Sequence, residues 1–504
     1  MTNINSEQYK LLCKTCDDVL LDSSSTPECV SISWLHIIRE HPVFIKPYQG
    51  IFSSNSLARA CKECLLNLIK LALWFKSITV SFLTIKFYKK YKFQQECQVD
   101  YLFVSHLLDN SQYDSGNDFY FSDTFVSLLD VNKTSFVALI NHTKEEYYSN
   151  QDVHGDGIVP HFILPKKLRL KDEFSILYRL IKESIRLRRL SINKTGLRKN
   201  VLLKASNEAL SQPSANNFRI AIQIQNLVKK IRPKFIVLTH EGYAWERLTF
   251  SMARSAYPDI RCIGYQHASL FRLQHAIFRS LSMEYNPDII LTAGSVTKKR
   301  LEGLLGLNKI PIYLLGSPRS LVDFRRSNTR IDNSDQITCL VLPEGLDSEC
   351  HLIYDFSLRC AILMPGVKFI WRLHPLISFR DLTRKNNKLQ RLPENIILSN
   401  SSIEEDIKRS QFSIYRGSTA IITALSSGIQ PIYLSLQDEM TIDPLFELDN
   451  KWRKIVMTSE EVQKLIVGND SLSSDFLREA KNIAIDHAKS LFTPMNHKTW
   501  LDCK

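Results

Sequence analysis

Residues 412–434 read Phe-Ser-Ile-Tyr-Arg-Gly-Ser-Thr-Ala-Ile-Ile-Thr-Ala-Leu-Ser-Ser-Gly-Ile-Gln-Pro-Ile-Tyr-Leu. An apolar run stops at Tyr415. The small residues Gly417, Ser418 and Thr419 then open a helix that Gly428 ends, and a second apolar run begins near Pro431. Strand, small-residue turn, helix, strand is the unit of a parallel sheet covered by helices. The free N–H groups at such a helix start attract anions. The hydroxyls of Ser418 and Thr419 add donors, and Arg416 adds charge. Ordinary helix capping uses the same residue types.

The same alternation runs outward from this stretch. Apolar runs at 337–342, 368–373 and 395–398 join 412–415 and 430–434 in one series. Runs at 101–105, 136–140, 235–239, 260–265, 289–292 and 312–316 form another. The polar, Arg- and Asn-rich stretch 317–336 between them reads as a linker. The expected fold class is therefore α/β, with two facing doubly wound lobes of Rossmann type and an N-terminal helical extension. The extension covers 1–95 and the first lobe 96–316, with a basic helical insertion at 166–200. The second lobe covers 337–504 and ends in helices, one from Ser474 to Phe492. A ligand of such a chain lies between the lobes, at the carboxyl ends of the strands.

Composition agrees. At 504 residues the chain is too long for one core, and 44% hydrophobic residues exclude a mostly disordered protein. Lys and Arg number 65 against 52 Asp and Glu, a net charge of +13. That excess points to nucleic acid, membrane headgroups or a phosphate-bearing substrate. Eleven scattered cysteines and the polar stretch Met1–Lys10 suit a reducing, cytosolic setting. The pairs Cys13-x-x-Cys16 and Cys61-x-x-Cys64 have inner spacings that can hold zinc, although the gap between them is long for a zinc ribbon.

Two segments suit a membrane surface. Residues 65–85 are apolar but contain Lys70 and Lys76, and Lys86, Lys89, Lys90 and Lys92 close the run with Phe87, Tyr88 and Tyr91. Charges inside the run disfavour a span and suit a helix lying along the headgroups. A buried helix is the plainer alternative. In the insertion, Phe174, Leu177, Ile181 and Ile185 recur at helical spacing among Lys171, Arg179, Lys182, Arg186, Arg188 and Arg189. That helix either rides an anionic surface or is solvated with one face on the core. Residues 1–56 show little periodicity and are expected to be loosely structured.

Polar side chains close several of the predicted strands. Trp371-Arg372-Leu373-His374-Pro375 holds His374 out of a helix at a strand end. Leu342-Pro343-Glu344-Gly345 puts a carboxylate at the first strand tip of the second lobe. In the first lobe, Thr239-His240-Glu241-Gly242 puts a carboxylate, and Tyr265-Gln266-His267-Ala268 further polar side chains, at strand ends. Glu241 is placed to act as a general base for an acceptor hydroxyl, with His240, Gln266 and His267 lining the acceptor side. Glu246 and Arg247 suggest an ion pair. Asp438, Glu439 and Asp443 can take sugar hydroxyls or simply face solvent.

A Glu-Gly strand tip, then Arg-x-His-Pro, then Gly-Ser-Thr opening a helix resembles nucleotide-sugar glycosyltransferases of the GT-B fold. More narrowly it is similar to the capsular polysialyltransferase and Kdo-transferase group of bacterial surface-carbohydrate enzymes. The similarity covers residues 235–445. It implies transfer of a sugar, CMP-activated in this group, to a surface-polysaccharide or lipid-linked glycan at the inner face of the plasma membrane. It also implies a metal-independent reaction with no cofactor and no nucleic-acid partner. By the resemblance, His374 holds or protonates the departing phosphate, and Ser418 and Thr419 bind the same phosphate. Glu344, Gly345, Arg372, Arg416 and Gly417 complete the donor side. The chain departs from the group's acidic-acidic-Gly motif, because Pro343 replaces the first acidic residue. Glu241 is therefore taken as the base, and Glu344 as a cleft residue. A sugar-nucleotide epimerase, a polyol-phosphate transferase and a nucleic-acid-binding protein remain the alternatives.

Overall fold

A computed structural model describes residues 4–52, 65–66, 69–70, 72–82, 98–108, 118–122, 124–125, 128, 131–143, 159–319, 336–374, 377–468 and 474–502. The first series of apolar runs forms a seven-stranded parallel sheet. Its strands are β1 (Tyr101–Leu107), β2 (Ser135–Asn141), β3 (His161–Leu164), β4 (Phe235–Thr239), β5 (Arg261–Gln266), β6 (Ile289–Thr292) and β7 (Ile312–Leu314), in the order β3-β2-β1-β4-β5-β6-β7. The second series gives β8 (Thr338–Leu342), β9 (Lys368–Trp371), β10 (Ile396–Leu398), β11 (Phe412–Tyr415), β12 (Gln430–Leu434) and β13 (Lys454–Val456), in the order β10-β9-β8-β11-β12-β13. The two doubly wound lobes expected from the sequence have formed. Both sheets carry helices on their faces, which is why their strands read as apolar runs rather than alternating ones. The sequence reading missed β3 and β13, which are only four and three residues long.

Register decides where the site lies. Thr239 pairs with Tyr265 across β4 and β5. Leu342 pairs with Tyr415 across β8 and β11, and Val341 with Trp371 across β8 and β9. Parallel strands in step end in step, so the polar tips that follow them fall on one edge of each sheet.

The N-terminal extension is not loose. Asn5 and Gln8 form a capping box on the helix Ser6–Leu20, which buries Tyr9, Leu12, Cys13, Cys16 and Val19. These residues share a core with the helices Leu170–Ile192, Gly196–Ala209 and Gln212–Ile231. Burial pushes the Cys13 thiol up to about 12, so it is held as an apolar thiol. Cys61 and Cys64 lie outside the described residues, so the second half of the zinc-spaced pattern is not seen.

The helix Leu170–Ile192 packs one face on the core and leaves the other to solvent. It turns Glu173 and Glu183 inward, where Arg219 and Arg186 neutralise them at 2.8 and 2.6 Å. Ile176, Leu180 and Leu187 pack inward beside them. Phe174, Ile181 and Ile185 face solvent, at 51%, 36% and 47% exposure. The described residues of the 65–85 run behave alike. Trp74 is buried and donates to the Leu210 carbonyl, and the Lys70 ammonium lies 3.2 Å from Glu208. Leu65, Ile69, Leu73, Phe75 and Phe82 are exposed. The basic, aromatic closure at 86–92 lies outside the described residues.

The chain finally crosses back between lobes. The helix Ser474–Leu491 packs on the helix Ala420–Ser426 of the second lobe and on Ser295–Glu302 of the first. A Cβ on Gly294 would come within 2.1 Å of the Leu491 carbonyl oxygen, so the contact requires glycine. Thr493 and Asn496 then bond the backbone of the first lobe at Ala293 and Leu315. The last residues of the chain thus pack against the first lobe. Trp500 packs edge-on against Tyr101 and Phe103, with both ring separations 5.9 Å. Trp500→Ala should lower unfolding stability by about 3–5 kcal/mol, the usual cost of emptying a buried aromatic site. Urea titration tests this, and a loss below about 1 kcal/mol would show that the returning segment is only loosely held.

Candidate functional site

The first sheet presents a short loop after β4. His240 donates its N–H to the Tyr265 carbonyl at 2.8 Å, which ties the β4 and β5 tips together. The Glu246 carboxylate accepts from the backbone N–H groups of Glu241, Gly242 and Tyr243 at 3.0, 2.7 and 2.9 Å. Glu246 therefore caps the helix Ala244–Ala256 and fixes the loop that carries Glu241. Gly242 has φ +87°, and a Cβ there would fall 2.4 Å from the Ala276 carbonyl, so no other residue fits. The expected Glu246–Arg247 ion pair does not form. Arg247 instead donates to Asn286 and to the carbonyls of Ala276 and Arg279.

Burial, with the neighbouring Glu246 charge, raises the Glu241 carboxyl to about 7, against the opposing pull of Arg39, Tyr243 and Arg319. Burial also raises Glu246, to about 8. Glu241 is still partly open to the cleft. A carboxyl poised near neutrality and reachable from solvent has the properties of a general base.

Four imidazoles lie at the tips of these strands. His240 lies 3.2 Å from Glu246, and burial keeps it neutral. His267, after β5, is edge-on to Tyr120 at 4.6 Å, and burial pulls it down to about 3. Gln266 is buried and donates to the Ala268 carbonyl. The sequence reading did not single out His106, whose ring nitrogens reach His142 at 2.9 Å and Thr239 at 3.0 Å. His106 precedes the end of β1 and His142 follows β2, so both sit at the tip positions the other residues occupy.

The second sheet gathers its tips around Glu344. Its carboxylate accepts the Gly417 N–H at 2.9 Å. It also lies 3.3 Å from His41 Nε2. His41 Nδ1 accepts the Val43 N–H at 3.2 Å, which leaves the proton on Nε2 to donate to Glu344. Burial pushes the Glu344 carboxyl up, but the hydrogen bond from His41 and the charges of Arg39 and Arg416 outweigh it and hold the group ionised. The contact packing is close. A Cβ on Gly417 would fall 2.2 Å from a Glu344 oxygen, and one on Gly345 would fall 2.6 Å from His374 Cε1. Gly345 thus lies against His374, and Gly417 against Glu344, at adjacent strand tips. Pro375 lies outside the described residues.

Burial lowers His374, against the opposing charge of Glu344, so near neutral pH the imidazole is mostly uncharged. It then offers an N–H hydrogen bond rather than a full positive charge. Among the described residues the hydroxyls of Ser418 and Thr419 have no partner, and Ser418 is buried at the mouth of the seven-residue helix Ala420–Ser426.

Two expected donor-binding arginines have other work. Arg416 is spent on Glu349 at 2.8 Å, Glu439 at 2.7 Å and the Leu434 carbonyl at 3.2 Å. Arg372 is tied to Asp406 and to the Ser401 carbonyl. Both brace the loops around the site, because a buried guanidinium needs its carboxylates. Glu439 is taken up by Arg416, and Asp443 by Arg453 and the Tyr415 hydroxyl. The ligand atoms of His41, Glu344 and Glu349 lie within 4.8 Å of one another, a spacing that can hold a cation. Arg416 and the Gly417 N–H already occupy those two carboxylates, so a metal would have to displace them.

His41 and Arg39 belong to the extension, whose sequence gave no sign of them. The segment is pinned to the first lobe. Ile38 accepts from the His275 N–H at 2.7 Å and Glu40 from the Leu273 N–H at 2.8 Å. Asp17 binds His275 and Arg279, each at 2.8 Å.

No protein-family model and no curated protein matches the chain. Solved structures do. An α,α-trehalose-phosphate synthase (UDP-forming) from Burkholderia vietnamiensis aligns over 81% of this chain and 96% of its own, with 11% identity and a TM-score of 0.45. A putative UDP-N-acetylglucosamine 2-epimerase from Listeria monocytogenes aligns over 79% and 93%, with 11% identity and a TM-score of 0.44. The glycosyltransferase SnogD from Streptomyces nogalater aligns over 81% and 98%, with 12% identity and a TM-score of 0.42.

The raised carboxyls have a consequence for stability. Between pH 4.5, the ordinary glutamate value, and about 7–8, the folded chain holds protons that the unfolded chain has released. Their contribution is complete below about 4.5 and is lost as pH rises through the folded-state values. Stability should therefore fall across this window, and Glu241→Gln should remove of order 1–3 kcal/mol of that fall. Urea midpoints at pH 5, 6.5 and 8 test this, and parallel curves for the two proteins would contradict it.

Proposed function

We propose that the chain is a glycosyltransferase of GT-B type, moving a sugar from a CMP-activated donor to a surface-polysaccharide or lipid-linked glycan acceptor. The observation that carries this reading is Glu241, a carboxyl poised near 7 at one sheet's strand tips, set in a two-lobed fold whose other sheet gathers an imidazole and two unpartnered hydroxyls at its own tips. Glu241 takes the proton of an acceptor hydroxyl. The oxygen attacks the anomeric carbon as its bond to the phosphate breaks. His374 and the Ser418 and Thr419 hydroxyls donate hydrogen bonds to the leaving phosphate, where negative charge develops. Glu344 and Arg416 hold that donor set in place without touching the ligand.

A membrane surface is the second half of the proposal. The exposed stripe Phe174, Tyr178, Ile181 and Ile185 is bordered by Lys171, Lys182, Arg188 and Arg189, a pairing that suits anionic headgroups. Among the described residues no helix is long and apolar enough to cross a membrane. The protein would then attach peripherally, at the cytoplasmic face.

Thermal shift against CMP, CDP, UDP, GDP and UMP tests the donor. CMP should raise the midpoint most, and no response to any nucleotide would defeat the reading. With a donor in hand, Glu241→Gln should cut kcat about 10²–10⁴-fold with little change in donor affinity. Release of free sugar without an acceptor would instead identify an epimerase. Phe174→Glu with Ile181→Glu should abolish co-sedimentation with vesicles containing anionic lipid while leaving nucleotide binding intact. Undiminished sedimentation would place membrane contact elsewhere.

A further inference from the structure

Among the described residues, two arginines whose charges act on Glu241 have no carboxylate partner. The Arg39 guanidinium lies over the Phe44 ring at 4.9 Å and the Phe271 ring at 4.2 Å. The Arg319 guanidinium lies over Phe119 at 4.5 Å. Among the described residues neither side chain makes an ion pair or a hydrogen bond. Elsewhere in the site the arginines are engaged: Arg416, Arg372, Arg247, Arg279 and Arg453 all have acceptors. Stacking on aromatic faces fixes a guanidinium plane yet leaves its N–H edge open, the arrangement that receives a carboxylate or phosphate in the plane of the fork.

The two come from segments outside both sheets. Arg39 belongs to the extension pinned on the 272–281 loop, and Arg319 follows β7 at the start of the linker. Their charges converge on Glu241, and that of Arg39 reaches Glu344 in the other lobe as well. Glu241 faces Glu246 and Tyr243 on its own loop, and Arg39 and Arg319 from elsewhere. Tyr120 stands beside Arg319 and also feels the Glu241 charge. Among the described residues neither cation bonds Glu241 or another carboxylate, although both act on Glu241, so the N–H edge of each ring-stacked guanidinium can take an anionic group.

We propose that Arg39 and Arg319 form an oxyanion-binding subsite beside Glu241, for a carboxylate or phosphate on the bound substrate. Through Arg39, the N-terminal extension becomes part of the site rather than an appendage. The ligand chemistry is an oxyanion, whose source is either an acidic acceptor sugar or the donor's phosphate. Identifying that source rests on the transferase reading; the subsite itself does not.

The test is titration of the full chain with inorganic phosphate, D-glucuronate and D-glucose, for the wild type, Arg39→Gln, Arg319→Gln and Arg39→Lys. The wild type should bind both anions in a salt-dependent way and not respond to glucose. Each Gln variant should weaken anion binding about tenfold, and Arg39→Lys should recover only part of it, since lysine keeps the charge without the fork. The Gln variants should also shift the titration of Glu241 to higher pH, a change that a merely structural role would not produce. Saturating CMP separates the sources. Displacement of the bound anion assigns the subsite to the donor phosphate, and simultaneous binding assigns it to the acceptor. Anion affinities within twofold of the wild type in both Gln variants, or equal binding of glucose and glucuronate, would overturn the proposal. A chain that binds the anions yet ignores every nucleotide would defeat the transferase reading and leave this subsite standing.

Discussion

One carboxylate holds the site together. Glu344 receives the Gly417 N–H from the neighbouring strand tip and the His41 imidazole from the N-terminal extension. Both bonds are buried, so removing the carboxylate would strand two donors away from water. Its reach explains the glycines around it. Gly417 must be bare because a Glu344 oxygen occupies the space of its side chain, and Gly345 must be bare because His374 lies against it. The loop that carries Ser418 and Thr419 and the N-terminal extension are both tied to this single group.

The first lobe uses the same device in mirror role. Glu246 gathers three backbone N–H groups and so shapes the loop that offers Glu241. In each lobe one buried glutamate is spent on the backbone so that another side chain can be presented. The difference lies in what surrounds them. Histidine and arginine keep Glu344 ionised, whereas burial and a second carboxyl leave Glu241 poised near neutrality. The first is suited to architecture and the second to proton transfer.

The lobes were legible because parallel strands covered on both faces must be continuously apolar. The runs 235–239, 289–292, 412–415 and 430–434 match β4, β6, β11 and β12 residue for residue. The edge strands β3 and β13 were not read from the sequence. The strand-tip residues were legible for the same reason, since a polar residue after an apolar run has only one edge to go to. Roles were less so. Arg416 and Arg372 have the charge a phosphate needs, but Glu349, Glu439 and Asp406 come from other loops, and no spacing along the chain announces those pairings. His41 and Arg39 were invisible because their importance comes from docking of the extension, a contact hundreds of residues long-range. For the helix Leu170–Ile192 the spacing left two burials open. Phe174, Ile181 and Ile185 face out, and Arg219 and Arg186 neutralise the glutamates buried on the other face.

The central claim is that the tips of the second sheet receive a nucleotide phosphate between His374 and the Ser418–Thr419 turn. A crystal structure of the full chain soaked with CMP tests it directly. The account predicts the phosphate within about 3 Å of a Ser418 or Thr419 hydroxyl and of a His374 ring nitrogen, with Glu344 still bound to Gly417. A phosphate bound away from these tips, or a turn that must release Glu344 to admit it, would contradict the account.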